Sequence, residues 1–162
     1  MSHEENIPGW VYTEDRPASN EEYFENLTRC IFQGGLNWTM IANKWPNFRE
    51  SFDNFDINKI ASYRLEKQEE LMNNKDIIRN KQKIMATIHN AEEFQRIAEK
   101  HGSFQKWLDS MNKSNNYEYV AKRLVSRFKR VGPATAHIFL WSVGEPIKYD
   151  ETLHNRRPSK LA

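Results

Sequence analysis

Residues 128–144 read FKRVGPATAHIFLWSVG, and the order of residue types in this stretch decides the fold. A basic pair, Lys129 and Arg130, leads through Val131 into Gly132 and Pro133. Proline at the first helical position gives up an amide that has no intrahelical partner, and its φ already suits a helix. The Gly132–Pro133 step therefore predicts a tight turn that opens a helix. Thr135 and Ala136 are small and let two helices cross closely. From Ile138 to Val143 the residues are apolar nearly all round, which predicts a helix buried at the centre of a domain. His137 then reads as a packed or hydrogen-bonded core histidine. Upstream, a helical pattern runs from about Tyr117 to Arg127, so the whole phrase is a helical hairpin with a basic turn. The amides at the start of its second helix, at the positive end of the helix dipole, form an anion site. Such a hairpin holds a DNA phosphate without reading sequence. The same pattern also serves as a plain connection between helices whose glycine only turns the chain.

Helical periodicity continues towards the N-terminus. Ser19 to Glu22 form a capping box, and behind it Tyr23, Phe24, Leu27 and Ile31 recur at helical spacing, predicting a helix over 20–33. A second helix begins after Asn37, a suitable N-cap, and is expected to stop before Pro46. Short helical pieces are expected at 48–52 and 57–61, the latter capped by Asp56. The longest periodic segment covers about 79–100, with Ile84, Ile88 and Ala91 on one face and a stop at His101–Gly102. Ser103 caps a helix holding Phe104, Trp107 and Leu108, and residues 112–116 (NKSNN) read as a loop. No stretch alternates with period two for the length of a strand. The expectation is an all-α fold, a compact two-lobed orthogonal helical bundle. One domain over 19–152 would follow an N-terminal extension, 1–18, and precede a basic tail, 153–162.

Bulk composition agrees with a globular chain. The 162 residues are 38% hydrophobic and 28% charged. No apolar run approaches the roughly 20 residues of a membrane span, so no membrane partner is expected. The N-terminal MSHEENIPGW is acidic and lacks an apolar signal core, which points to the cytoplasm. Cys30 is the single cysteine, so neither an internal disulfide nor a cysteine metal cage is possible. The net charge of +2 is unevenly placed: from Lys113 onward there are ten Lys or Arg against four Asp or Glu. That imbalance suggests an anionic partner. No exposed heptad seam appears, so a monomer is expected.

A second break needs a reason. Residues 30–38 read CIFQGGLNW, with Gly34 and Gly35 between two helical stretches and Leu36, Asn37 and Trp38 at the break. Three segments taken together resemble one family, the DNA-3-methyladenine glycosylase I family of the helix-hairpin-helix glycosylases. They are FQGGLNW with NKWPNFRESFDNFD, IIRNKQKIMATIHNA with HGSF, and FKRVGPATAHIFLWSVG, in the family's order. The resemblance covers about 21–144. It implies double-stranded DNA carrying alkylated bases as the partner, and hydrolysis of the N-glycosidic bond of a cationic methylated adenine. A base inside a duplex must be flipped out before it can be reached. Trp38 matches the family's stacking tryptophan, and an aromatic face attracts a cationic base. Gly34 and Gly35 would let the backbone approach DNA, with Leu36 filling the gap left in the stack. Gln33 and Asn37 would bond a base edge. Lys129, Arg130, Gly132, Pro133 and Thr135 would hold the strand. Arg79, Lys81 and Lys83, around an N-cap at Asn80, would touch phosphate or solvate that surface.

The chain also departs from the family. The residues that bind zinc in one branch are not recognisable, and His3 and His154 make a poor substitute, so no metal and no cofactor are expected. Counting back from Trp38, the family's pocket glutamate falls on Cys30, a smaller and weakly hydrogen-bonding group. Cys30 reads either as part of the base pocket or as a small core residue. Superfamily members carry an aspartate some twenty residues after the hairpin. Asp150 lies eighteen after Gly132 and is the catalytic candidate, with Glu151 competing. Trp10 or Tyr12 would supply a second aromatic wall, and Arg156, Arg157 and Lys160 would add non-specific attraction for DNA. No lysine stands where lyase-active members place one. Three other readings stay open: a non-catalytic protein that binds damaged DNA, a glycosylase for another lesion, and a helical scaffold for an acidic protein.

Overall fold

Ser19 opens the first helix, α1 (Asn20–Gln33). Its hydroxyl accepts from the Glu22 amide at 3.2 Å, while the Glu22 carboxylate reaches back to the Ala18 amide at 2.8 Å. The computed structural model describes residues 16–150, all of whose regular elements are helical. Trp10, Tyr12, Glu151, Arg156, Arg157, Lys160 and the two terminal histidines lie outside these residues.

Helix α2 (Trp38–Ser51) contains Pro46, which corrects the expected stop before that residue and the separate piece at 48–52. Ile41, Trp45, Phe48 and Phe52 are all buried and recur at helical spacing across the proline. One continuous apolar stripe outweighs the roughly 3 kcal/mol that an interior proline costs. Trp45 stacks on Phe48 at 4.7 Å and on Phe55 at 5.3 Å, which pins the 3₁₀ turn Asp53–Phe55 beneath it. Asp56 caps α3 (Ile57–Ala61), as expected. The sequence reading missed α4 (Leu65–Met72), whose LEKQEELM buries Leu71 and offers too few apolar positions to show a stripe.

Helix α5 (Lys81–His101) starts at the expected cap, Asn80, and α6 (Phe104–Asp109) at Ser103. The loop expected at 112–116 is in part the left-handed first turn of α7 (Ser114–Arg127), with positive φ at Asn115, Asn116 and Tyr117. Helix α8 (Pro133–Ser142) begins with proline at N1 and is buried from Ala136 to Ser142. His137 is a core histidine: only 7% exposed, it accepts the Asp150 amide on Nε2 at 2.9 Å.

Helices α1 and α5 pack together and are shared by two groups of elements. On one side lie α2, the 3₁₀ turn, α3 and α4. On the other lie α6, α7 and α8. A single apolar core runs through both groups from Tyr23 to Ile147. The two segments that break the helical pattern, 33–37 and 128–132, both emerge beside α5.

Candidate functional site

The first break is a type II turn. Gly34 has φ −60° and ψ 122°, Gly35 has φ +77°, and the Leu36 amide closes the turn on the Gln33 carbonyl at 3.0 Å. The third residue of such a turn needs positive φ, which is why Gly35 stands there. A Cβ on Gly35 would meet open space, so the conformation and not crowding demands glycine. Gly35→Ala is expected to cost about 1–2 kcal/mol, read as a lowered midpoint in thermal unfolding. Gly34 and Gly35 are exposed, and Leu36 is half-buried against the core.

Asn37 caps α2, its Oδ1 accepting the Met40 amide at 2.9 Å. The cap uses one acceptor site of Asn37 Oδ1 and leaves its side-chain NH2 group outside that bond. Trp38 follows at the first helical position and is 4% exposed. Gln33 is 1% exposed at the end of α1. Cys30, one turn earlier, lies beside Ser142 on α8. The Ser142 hydroxyl itself donates to the Phe139 carbonyl at 2.9 Å. Burial pushes the Cys30 thiol up to about 12, against the pull of Arg29 and Ser142. The residue at the glutamate position is therefore a neutral, buried group, as a core cysteine would be.

The hairpin forms the second part. Arg130, not Gly132, makes the left-handed step, at φ +63°. Gly132 has φ −95° and ψ −178°, extended backbone open to any residue, and a Cβ there would touch nothing within 4 Å. The fold thus sets no demand for glycine at 132, and the surface over the start of α8 is open. No side chain caps α8, so the amides of Ala134 and Thr135 face the turn with the positive end of the dipole. Lys129 and Arg130 are exposed beside it. Together with Lys81, Tyr63, Met85 and His89 they line an open concavity of about 880 Å³.

Lys83 corrects the sequence reading. It neither solvates the surface nor is free for phosphate. It is 6% exposed, and its ammonium donates to the Gly34 carbonyl at 2.7 Å and the Phe32 carbonyl at 3.3 Å. Burial, with Arg130 nearby, pushes it down to about 8. Asn90 was also missed: its side chain accepts the Lys129 amide at 2.9 Å and donates to the Lys129 carbonyl at 3.2 Å. A signal existed for both. Lys83, Thr87 and Asn90 recur at i, i+4 and i+7, a polar stripe on the inward face of a buried helix.

Asp150 is exposed at the end of the described chain and is anchored by its backbone to His137. His137 lies one helical turn into α8 from the anion site, whereas Cys30 meets α8 at Ser142, about 10 Å further along the axis than Thr135. Among the described residues no three His, Cys, Asp or Glu gather as a metal site, and no helix is long and apolar enough to cross a membrane.

Comparison with known proteins bears on this geometry. The family model described as methyladenine glycosylase matches residues 10–147. The DNA-3-methyladenine glycosylase 1 of Escherichia coli (strain K12) is 35% identical over 77 residues, 48% of this chain and 41% of that protein. The chain thus matches less than half the length of that relative. The DNA-3-methyladenine glycosylase of Haemophilus influenzae is 24% identical over 143 residues, 77% of each chain. A crystal structure of a 3-methyladenine DNA glycosylase I superposes with a TM-score of 0.71 at 28% identity, over 89% of this chain and 86% of the other. The Staphylococcus aureus structure describing 3-methyladenine recognition gives a TM-score of 0.73 at 24% identity, over 93% and 87%, a likeness of fold.

Proposed function

Because this chain belongs to the methyladenine glycosylase family, we propose that it is a monofunctional DNA glycosylase that hydrolyses the N-glycosidic bond of alkylated purines, 3-methyladenine in type. One observation carries the reading: the exposed Gly34–Gly35 turn, with Trp38 behind it, and the uncapped start of α8 are both held to one helix, α5.

In this reading the protein works as a monomer on double-stranded DNA in the cytoplasm. Phosphates bind at the Ala134 and Thr135 amides between Lys129 and Arg130. Leu36 enters the stack as the damaged nucleotide leaves it, and Trp38 takes the base. A cationic purine is already a good leaving group. The chain's task is then to extrude the nucleotide, hold the phosphates and shield the oxocarbenium-like sugar, with Asp150 as candidate for guiding water or offsetting charge.

Base release tests the reading. Purified protein incubated with methylated genomic DNA is expected to free 3-methyladenine, identified by mass spectrometry. Trp38→Ala is expected to slow release by about 10- to 100-fold, the range for loss of base stacking with some cation–π attraction. Trp38→Phe keeps a ring in the core and should retain most activity, which separates the pocket from the packing. Tight binding with no release of any base would overturn catalysis. It would favour a non-catalytic protein that binds damaged DNA, the second reading, to which the neutral Cys30 thiol lends weight. Release of a different base would keep the chemistry and change the lesion.

A further inference from the structure

Helix α5 reaches both loops of the proposed site from one face. Lys83 sits in its first turn and Asn90 seven residues on, about 10 Å along the axis. Between them the Thr87 hydroxyl donates back to the Lys83 carbonyl at 2.8 Å, so the polar stripe is bonded along its length.

The two ends grip in different ways. Lys83 lends a charged donor to the carbonyls of Phe32 and Gly34, across 51 and 49 residues of sequence. These carbonyls lie at the C-terminal end of α1, where no basic residue of α1 itself serves the last turn. The backbone bonds within the turn, Gly34 to Ile31 and Leu36 to Gln33, are local, whereas Lys83 ties it to a helix distant in sequence. A charge-assisted bond in a water-poor setting is stronger than either of them. Asn90 bonds both the N–H and the C=O of Lys129, which fixes the peptide plane just before the left-handed Arg130. A second tie, from Arg127 to Glu93 on α5 at 2.7 Å, anchors the end of α7 beside it.

We propose that Lys83 and Asn90 are positioning residues that set the spacing between the Gly34–Gly35 turn and the phosphate-holding hairpin. The proposal rests on the glycosylase reading. A rigid helix that carries both loops makes their separation a property of the folded protein before DNA arrives. Binding phosphate at the hairpin then places Leu36 against one particular step of the strand, and the cost of ordering the loop is met in folding instead of in flipping. A residue that merely filled the core would have no such effect on two loops at once.

Hydrogen exchange and single-turnover base release test this together. Lys83→Met keeps the side-chain length and removes the donors. Exchange of the Gly34 and Leu36 amides should rise about tenfold. Excision should slow by a similar factor, while affinity for undamaged duplex stays within about threefold, because the hairpin is intact. Lys83→Arg keeps charge and two donors and should rescue both readouts. Asn90→Asp keeps the acceptor for the Lys129 amide but sets a carboxylate oxygen, and a buried negative charge, against the Lys129 carbonyl in place of the donor. Faster exchange should then appear at 129–132, with weaker binding to undamaged duplex. Wild-type exchange and excision in Lys83→Met would overturn the proposal, and so would unaltered hairpin exchange in Asn90→Asp, should Lys83→Met fail to fold. If the wild type frees no base, the glycosylase reading fails, and the exchange of both loops still decides whether α5 sets their spacing.

Discussion

Glu145→Ala should destabilise the protein by about 3–5 kcal/mol, the usual cost of leaving buried partners without their charge. Glu145 follows α8 and is 4% exposed. One carboxylate oxygen accepts the Tyr117 hydroxyl at 2.8 Å and the Lys113 ammonium at 3.0 Å, while the Arg16 guanidinium lies 3.1 Å from the other. Arg16 and Lys113 also meet at Asp109, at 2.7 Å and 2.8 Å. A single carboxylate therefore joins the segment before α1, the start of α7 and the chain beyond α8. Burial, and then Glu145 itself, hold the Tyr117 hydroxyl above its usual range, so it remains a donor throughout ordinary pH. Alanine would leave Tyr117 buried without an acceptor, and the two cations facing only Asp109. Against a total stability of roughly 5–15 kcal/mol, the loss is large. At a urea dependence of about 1–3 kcal/mol per molar, it should move the unfolding midpoint down by roughly 2 M. Glu145→Gln keeps the shape and an acceptor and should lose roughly 1–2 kcal/mol. A midpoint for Glu145→Ala close to wild type would show that Asp109 alone holds this corner.

Most of the fold was legible because it is written in short-range signals. Ser19, Asn37, Asp56, Asn80 and Ser103 each announce a helix start through one side-chain oxygen, and each caps the helix expected of it. Pro46 misled because its local cost is visible in sequence, whereas the stack of Trp45 on Phe48 and Phe55 that outweighs it is not. Helix α4 was missed because its stability comes from packing Leu71 against the core, not from a stripe of its own. The site was less legible. The turn at Gly35 and the start of α8 could be read from residue type. The inward turn of Lys83 could not, since lysine at a helix start reads as surface until the carbonyls it meets, 49 residues away in sequence, are known. Nothing in the sequence marks the left-handed backbone of Arg130, because Gly132, two residues on, is the residue type that such a step favours.

That mismatch between Arg130 and Gly132 supports the second large expected effect. Lys129→Gln combined with Arg130→Gln should weaken binding to undamaged duplex about sixtyfold at 0.1 M salt. The figure follows from the loss of two phosphate contacts, each lowering the slope of log affinity against log salt by about 0.9. The slope itself should fall by about 1.8, and titration of affinity across salt concentrations measures it directly. Glutamine at 130 keeps the cost of positive φ as it is in the wild type, and Lys129 is held by its backbone, so stability should be unchanged. Gly132→Ala separates charge from access. Its extended backbone and empty surroundings predict a wild-type melting temperature. If a phosphate closes on the amides at the start of α8, the added methyl stands in its way, and affinity should fall with the slope unaltered. If affinity holds in Gly132→Ala while the double variant loses its slope, the basic pair attracts DNA at long range and the helix start takes no phosphate. If neither changes, strand binding lies elsewhere, and the hairpin is only a connection between α7 and α8.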